Sequence, residues 1–162
     1  MIVRPLQPAD LPACARILAE NPIWQRYGVT LASAFQRLSV GLEQGASILV
    51  AEYNPATSML AETAERVAGF IWFVEKGAFF RSGYVMLIGV DPAQQGQGVG
   101  ETLMDAAEQI MFEKSADVFL LVSDFNEGAQ RFYRRRGYIY VGSLPGYVLP
   151  DVAELIYRKT KP

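Results

Sequence analysis

The sequence has 162 residues, 51% of them apolar and 20% charged, with a formal net charge of −2 and a single cysteine but no histidine. This composition predicts one globular domain spanning residues 1–162, gives no basic excess for nucleic acid, argues against a zinc site, excludes an intrachain disulfide and removes the commonest general base. No apolar run approaches the ~20 residues of a membrane span and the first residues lack a basic-then-apolar leader pattern, so a cytoplasmic chain without a membrane partner is expected.

In chain order, Met1–Leu6 reads as a strand and Gln7-Pro8-Ala9-Asp10 as a helix start. Leu11, Ala15, Ile17 and Leu18 then supply an apolar face, and Asn21-Pro22 ends that helix. A second amphipathic helix runs from about Leu31 through Ala34, Phe35, Leu38 and Leu42 to Gln44, stopped by Gly45. Ile23–Gly28 between them reads as a connection. Ser47–Tyr53 and Arg66–Glu75 are predicted strands, with Asn54–Glu65 as a mobile loop too long for a simple hairpin. Lys76–Ser82 leads to the next strand, and its Phe79 and Phe80 are expected to pack inward rather than form an apolar lip.

The central stretch is Tyr84–Val90, an apolar strand that breaks at Asp91-Pro92, passes through Gly96, Gly98 and Gly100, and enters a helix from Gly98 to about Lys114. Leu103, Ala106, Ala107, Ile110 and Met111 share one face of that helix. Glycines let several N–H groups converge on one space, and a helix N-terminus adds free N–H groups and a positive dipole end. Such a turn suits an anion, most naturally a pyrophosphate. A Walker loop needs Gly-Lys followed by Ser or Thr, and Glu101 follows Gly100 here. A dinucleotide fingerprint needs Gly-x-Gly-x-x-Gly with an acid after the next strand. Asp124 meets the second condition, but the glycine spacing does not fit and too little chain comes after it. Beyond the turn come a strand at Val118–Ser123, a helix at Asn126–Arg136, and a final antiparallel pair, Tyr138–Leu144 with Ala153–Arg158. The run Arg134, Arg135 and Arg136 reads as a solvated helix end or a local anion contact, and the negative end of a helix dipole accounts for at least two of the three.

Gln95-Gly96-Gln97-Gly98-Val99-Gly100 resembles the Gln/Arg-x-x-Gly-x-Gly/Ala loop of the GNAT superfamily of N-acetyltransferases. Asn126 to Tyr138, an Asn before a helix carrying Phe132-Tyr133 and then Gly137-Tyr138, is similar to the family's other signature. The resemblance implies an α/β (α+β) fold ordered βααβββαβαββ, with a mixed, mostly antiparallel central sheet of about seven strands flanked by about four helices. It implies acetyl-CoA as cofactor, bound by the backbone of Ile88, Gly89 and Val90, by the turn Gln95, Gly96, Gln97, Gly98, Val99, Gly100 with Glu101, and by Asn126. Tyr133 would be the acid that protonates the departing thiolate, with Trp24, Tyr27 and Tyr84 against an acceptor amine, small molecule or peptide. No metal enters. A homodimer through the C-terminal strands is a further implication. Direct attack in a ternary complex is expected, because Cys14 lies away from both motifs. No base is assigned among Glu75, Asp91, Ser123 and Asp124. A non-catalytic acyl-CoA sensor and a dinucleotide-binding oxidoreductase subunit stand as alternatives.

Overall fold

The computed structural model describes residues 1–53 and 66–162, so the predicted loop Asn54–Glu65 lies outside the described residues. The elements run β1 (Ile2–Pro5), α1 (Leu11–Ala19), α2 (Pro22–Arg26), α3 (Leu31–Glu43), β2 (Ser47–Glu52), β3 (Val67–Ala78) and β4 (Ser82–Val90). They continue with α4 (Val99–Lys114), β5 (Asp117–Ser123), α5 (Glu127–Arg135), β6 (Ile139–Pro145) and β7 (Ala153–Thr160). The strands form one seven-stranded sheet in the order β1-β2-β3-β4-β5-β7-β6. It is mostly antiparallel, with β4 and β5 parallel over Gly83–Val85 against Val118–Leu120. That is the expected mixed architecture. It is not the doubly wound parallel sheet that a dinucleotide-binding subunit requires.

Among the described residues five helices accompany the sheet where about four were expected. The additional one is α2, read from sequence as a connection. Asn21 caps it by accepting a hydrogen bond from the Ile23 N–H at 2.9 Å, and Pro22 sits at its first position with φ already set. The Gln7–Asp10 start is a 3-10 turn at Pro8–Asp10, after which α1 begins at Leu11. Thr30 and Ser33 satisfy each other's backbone N–H groups at the head of α3.

The chain forms two compact units, Met1–Phe73 with Leu87–Glu108, and Val74–Met86 with Gln109–Pro162. In the first, α1 and α3 bury Cys14, Ile17, Leu18 and Leu38 together with Val50 and Phe70 of the strands. Gly41 of α3 lies so close to Trp72 that a methyl group there would overlap the indole ring. In the second, Met111, Val118, Leu120, Tyr133, Tyr138 and Tyr157 are buried. Tyr157 pairs with Leu120 on one side and Tyr140 on the other.

Phe79 and Phe80 do not pack into the core. β3 runs on to Ala78 and β4 starts at Ser82, which leaves a tight turn closed by the Arg81 N–H on the Ala78 carbonyl at 3.1 Å. Such a hairpin requires left-handed backbone at its two central residues. They are Phe79 (φ 57°) and Phe80 (φ 54°), whose side chains are left 80% and 96% exposed. Each left-handed phenylalanine costs about 1–2 kcal/mol. The ring of Phe79 meets Phe119 edge-on at 5.6 Å, and Phe80 has no ring contact among the described residues.

Candidate functional site

The glycine turn is built entirely within the first unit. Asp91 ends β4 and organises the turn after it: Oδ1 accepts from the Ala93 N–H at 2.9 Å, Oδ2 accepts from Arg16 of α1 at 2.9 Å, and its own N–H donates to the Ala68 carbonyl of β3 at 2.9 Å. A 3-10 turn at Pro92–Gln94 comes next, and then Gln95, Gly96 and Gln97 lie exposed. Gly96 and Gly98 have φ of 77° and 80°, a backbone that a side chain resists, and among the described residues no atom beyond their chain neighbours lies within 4 Å of where a Cβ would stand at either. The left-handed backbone, rather than crowding by described residues, is therefore what calls for glycine at both positions. Both the N–H and the hydroxyl of Thr102 donate to the Gly98 carbonyl, at 3.0 and 2.9 Å, which closes the first turn of α4 behind the loop. The leading N–H groups of α4, at Val99, Gly100 and Glu101, have no acceptor within the helix. Val99 itself is 1% exposed and packs inward, so only its backbone can serve a ligand.

Two residues that sequence reasoning missed hold this turn. Arg16 reaches Asp91 across 75 positions of sequence, and Tyr53, at the end of β2, directs its hydroxyl to the side-chain oxygens of Gln94 and of Gln97, the latter at 3.2 Å. Gln97 in turn donates to the Ala93 carbonyl at 3.2 Å.

Ile88, Gly89 and Val90 form the end of β4, where Ile88 and Val90 share the half-buried face and Gly89 is buried. Trp24 of α2 and Tyr27, which caps its C-terminus, meet at a 49° tilt with ring centres 6.2 Å apart, and Trp24 also leans on the core. In the second unit, Tyr84 is half-buried on β4. Asn126 caps α5, its Oδ1 accepting from the Ala129 N–H at 3.1 Å. Its amide N–H groups have no partner among the described residues and are free to donate to a ligand. Gln130, a polar residue on the buried face of α5, donates to the carbonyls of Ser123 and Asp124 at 3.2 and 2.9 Å and so fixes the turn that presents Asn126. The signal for it was legible: Gln130 lies three residues before Tyr133, one helical turn away on the same face.

Tyr133 is buried between Phe132 and Tyr138, with ring centres 5.2 and 5.7 Å away. Burial pushes its phenol well above the usual tyrosine range, against the opposing charge of Arg136, so it holds its proton at any ordinary pH. Its hydroxyl has no hydrogen bond among the described residues. Three of the candidate bases are engaged elsewhere. Glu75 pairs with Lys114, both oxygens of Asp91 are taken, and Asp124 accepts from the Ala153 N–H at 3.2 Å. Ser123 is buried and partnered. Burial, reinforced by the charge of Asp10 against that of Arg4, pushes the Cys14 thiol up to about 12 and leaves no thiolate at neutral pH. No cluster of three potential metal ligands occurs among the described residues, and none of their helices is long and apolar enough to cross a membrane.

The profile of the Acetyltransferase (GNAT) family matches residues 19–138. The chain belongs to the GNAT acetyltransferase family. Among its relatives are an uncharacterised protein of Mycobacterium leprae, 30% identical over 91% of this chain and 37% of that protein, and a mycothiol acetyltransferase of Thermobispora bispora, 34% identical over 53% of this chain and 31% of the other. The chain thus spans about a third of the length of these curated relatives. An aminoglycoside 6'-N-acetyltransferase complexed with coenzyme A superposes with a TM-score of 0.76 at 15% identity, covering 100% of this chain and 99% of that one. The ribosomal-protein-alanine N-acetyltransferase of Brucella melitensis gives 0.74 at 22%, covering 99% and 100%. At these identities the likeness is one of fold.

Proposed function

We propose that this GNAT chain transfers the acetyl group of acetyl-CoA to a primary amine by direct attack in a ternary complex. The observation that carries the reading is the left-handed pair Gly96 and Gly98 set before the N-terminus of α4, a backbone cradle that no side chain of the described residues crowds at either glycine. In this reading, Gln95–Gly100 and the Glu101 N–H hold the pyrophosphate, and the backbone of Ile88, Gly89 and Val90 holds the pantetheine arm and polarises the acetyl carbonyl. The free amide of Asn126 donates to the cofactor. Tyr133, kept protonated by burial, supplies the proton for the departing thiolate. The inert Cys14 supports transfer without an acetyl-cysteine intermediate. Trp24, Tyr27 and Tyr84 contact the acceptor. The engaged candidate bases support an amine that enters partly deprotonated. The chain works in the cytoplasm, and β6, an edge strand exposing Ile139, Tyr140 and Val141, pairs with a second copy.

Calorimetric titration with acetyl-CoA and, separately, NAD, followed by thiol-release assays against a panel of amines, tests this reading. Acetyl-CoA binding without an NAD signal, then amine-dependent thiol release, is expected. Binding without release under any amine would leave a sensor, and no binding would remove the cradle's assigned role.

A further inference from the structure

The two most exposed large apolar side chains of the described residues, Phe79 and Phe80, are adjacent at the tip of the β3–β4 hairpin. They occupy both left-handed positions of a turn in which Asn-Gly would sit without strain. The sequence therefore sets its least soluble side chains where the backbone least tolerates them, and Phe80, 96% exposed, has no ring contact among the described residues to offset that strain. Exposed cations flank the pair at Lys76 and Arg81. Of the nearest acids, Glu75 is paired with Lys114, and Asp117, paired with Arg158 at 2.8 Å, also feels the charge of Arg81 and offsets part of it, which leaves Lys76 as the less compensated of the two cations.

We infer that this tip is a membrane-surface anchor, in which Phe79 and Phe80 enter the interface of an anionic bilayer while Lys76 and Arg81 reach its phosphate headgroups. Two phenylalanines offer roughly 150–250 Å² each, well short of the roughly 800 Å² per partner that a specific protein interface buries. A lipid surface sets no such minimum, since it accepts isolated aromatic side chains and draws basic neighbours to its headgroups. This revises the composition-based expectation of no membrane partner, which speaks only to spans. The anchor is independent of the acetyl-transfer reading, and the cytoplasmic leaflet has the required charge.

Co-sedimentation of the full chain with vesicles of phosphatidylcholine and phosphatidylserine is the test. The wild type should pellet with them, less so with phosphatidylcholine alone or at high salt. The double swap Phe79→Asn with Phe80→Gly should lower partitioning roughly a hundredfold, the equivalent of two lost phenylalanine burials. The same swap should raise Tm, because it relieves both strained residues, and should leave acetyl-CoA binding unchanged. Phe80→Ser, which keeps the Phe79–Phe119 contact, is the second variant and should lose part of the binding. A wild type that stays in the supernatant, or variants that pellet as well as it does, would overturn the anchor. So would self-association that depends on the tip without vesicle binding, which would make the partner a second copy of this chain.

Discussion

Replacing Tyr53 by Phe removes one oxygen and tests whether the glycine turn must be preorganised to bind its ligand. That hydroxyl reaches Gln94 and Gln97, on either side of Gly96, while the ring stays half-buried and can remain in place. A single hydroxyl proton shared between two acceptors has a net value of about 1 kcal/mol. If the whole of that loss falls on ordering the turn, coenzyme A affinity drops about fivefold. Steady-state kinetics with acetyl-CoA and with S-acetylpantetheine, which lacks the phosphates, locate the loss. KM for acetyl-CoA should rise by that factor, kcat at saturation should hold, and the parameters for S-acetylpantetheine should not move. Equal losses on both donors would mean that Tyr53 acts through general stability, and no loss on either would mean that the turn keeps its form unaided. A wild type that does not prefer acetyl-CoA over the truncated donor would refute phosphate binding by the turn itself.

Gly98→Ala should weaken coenzyme A binding only about tenfold, since the position is open and the penalty is backbone strain, whereas Gly98→Asp adds a negative charge facing the phosphates and should abolish binding in calorimetry. Affinity retained in the aspartate variant would end the cradle assignment. Tyr133→Phe should slow thiol release by roughly a hundredfold or more with cofactor affinity and Tm nearly unchanged, because the hydroxyl makes no hydrogen bond within the described chain; unaltered turnover would strip Tyr133 of the acid role. Asp10 is buried, and although burial works to raise its carboxyl, bonds from Arg4 at 2.7 and 2.9 Å and from the Gln7 N–H at 2.8 Å, together with the Arg4 charge, hold it below its ordinary 3.8. With a depressed folded pKa the stabilisation is complete above 3.8 and is lost as pH falls through the folded value. Asp10→Asn should cost about 1–3 kcal/mol at neutral pH and flatten the acid limb of Tm against pH. An acid limb as steep as the wild type's would assign that limb to other carboxylates.

Much of the fold was legible because its strongest signals are local. The apolar run Tyr84–Val90, the glycines after it and the periodic face of α4 each act over a few residues, and the observed β4 and α4 differ from the reading by two residues at most. The turn Phe79-Phe80 was misread for the same reason: aromatic residues argue for burial, and only the pairing of β3 with β4 forces them onto left-handed backbone. Glycine or asparagine there would have announced the turn. α2 escaped notice because five residues are too few to show a period, although Asn21-Pro22 is a good helix start. The tethers Arg16–Asp91 and Tyr53–Gln97 join residues 75 and 44 positions apart, and no short-range pattern encodes such a contact.

The close packing of Gly41 on Trp72 has an optical consequence. The only tryptophans of the chain, Trp24 and Trp72, both belong to the Met1–Phe73 part of the first unit, whereas the second holds six of the eight tyrosines and no indole. Fluorescence excited at the red edge of the absorption band thus reports on one unit and is blind to the other, while the circular dichroism of the backbone sees both. A denaturation series followed by the two signals together would therefore register, as a separation of midpoints, any loss of cooperativity between halves of a chain that share three continuous elements, β3, β4 and α4.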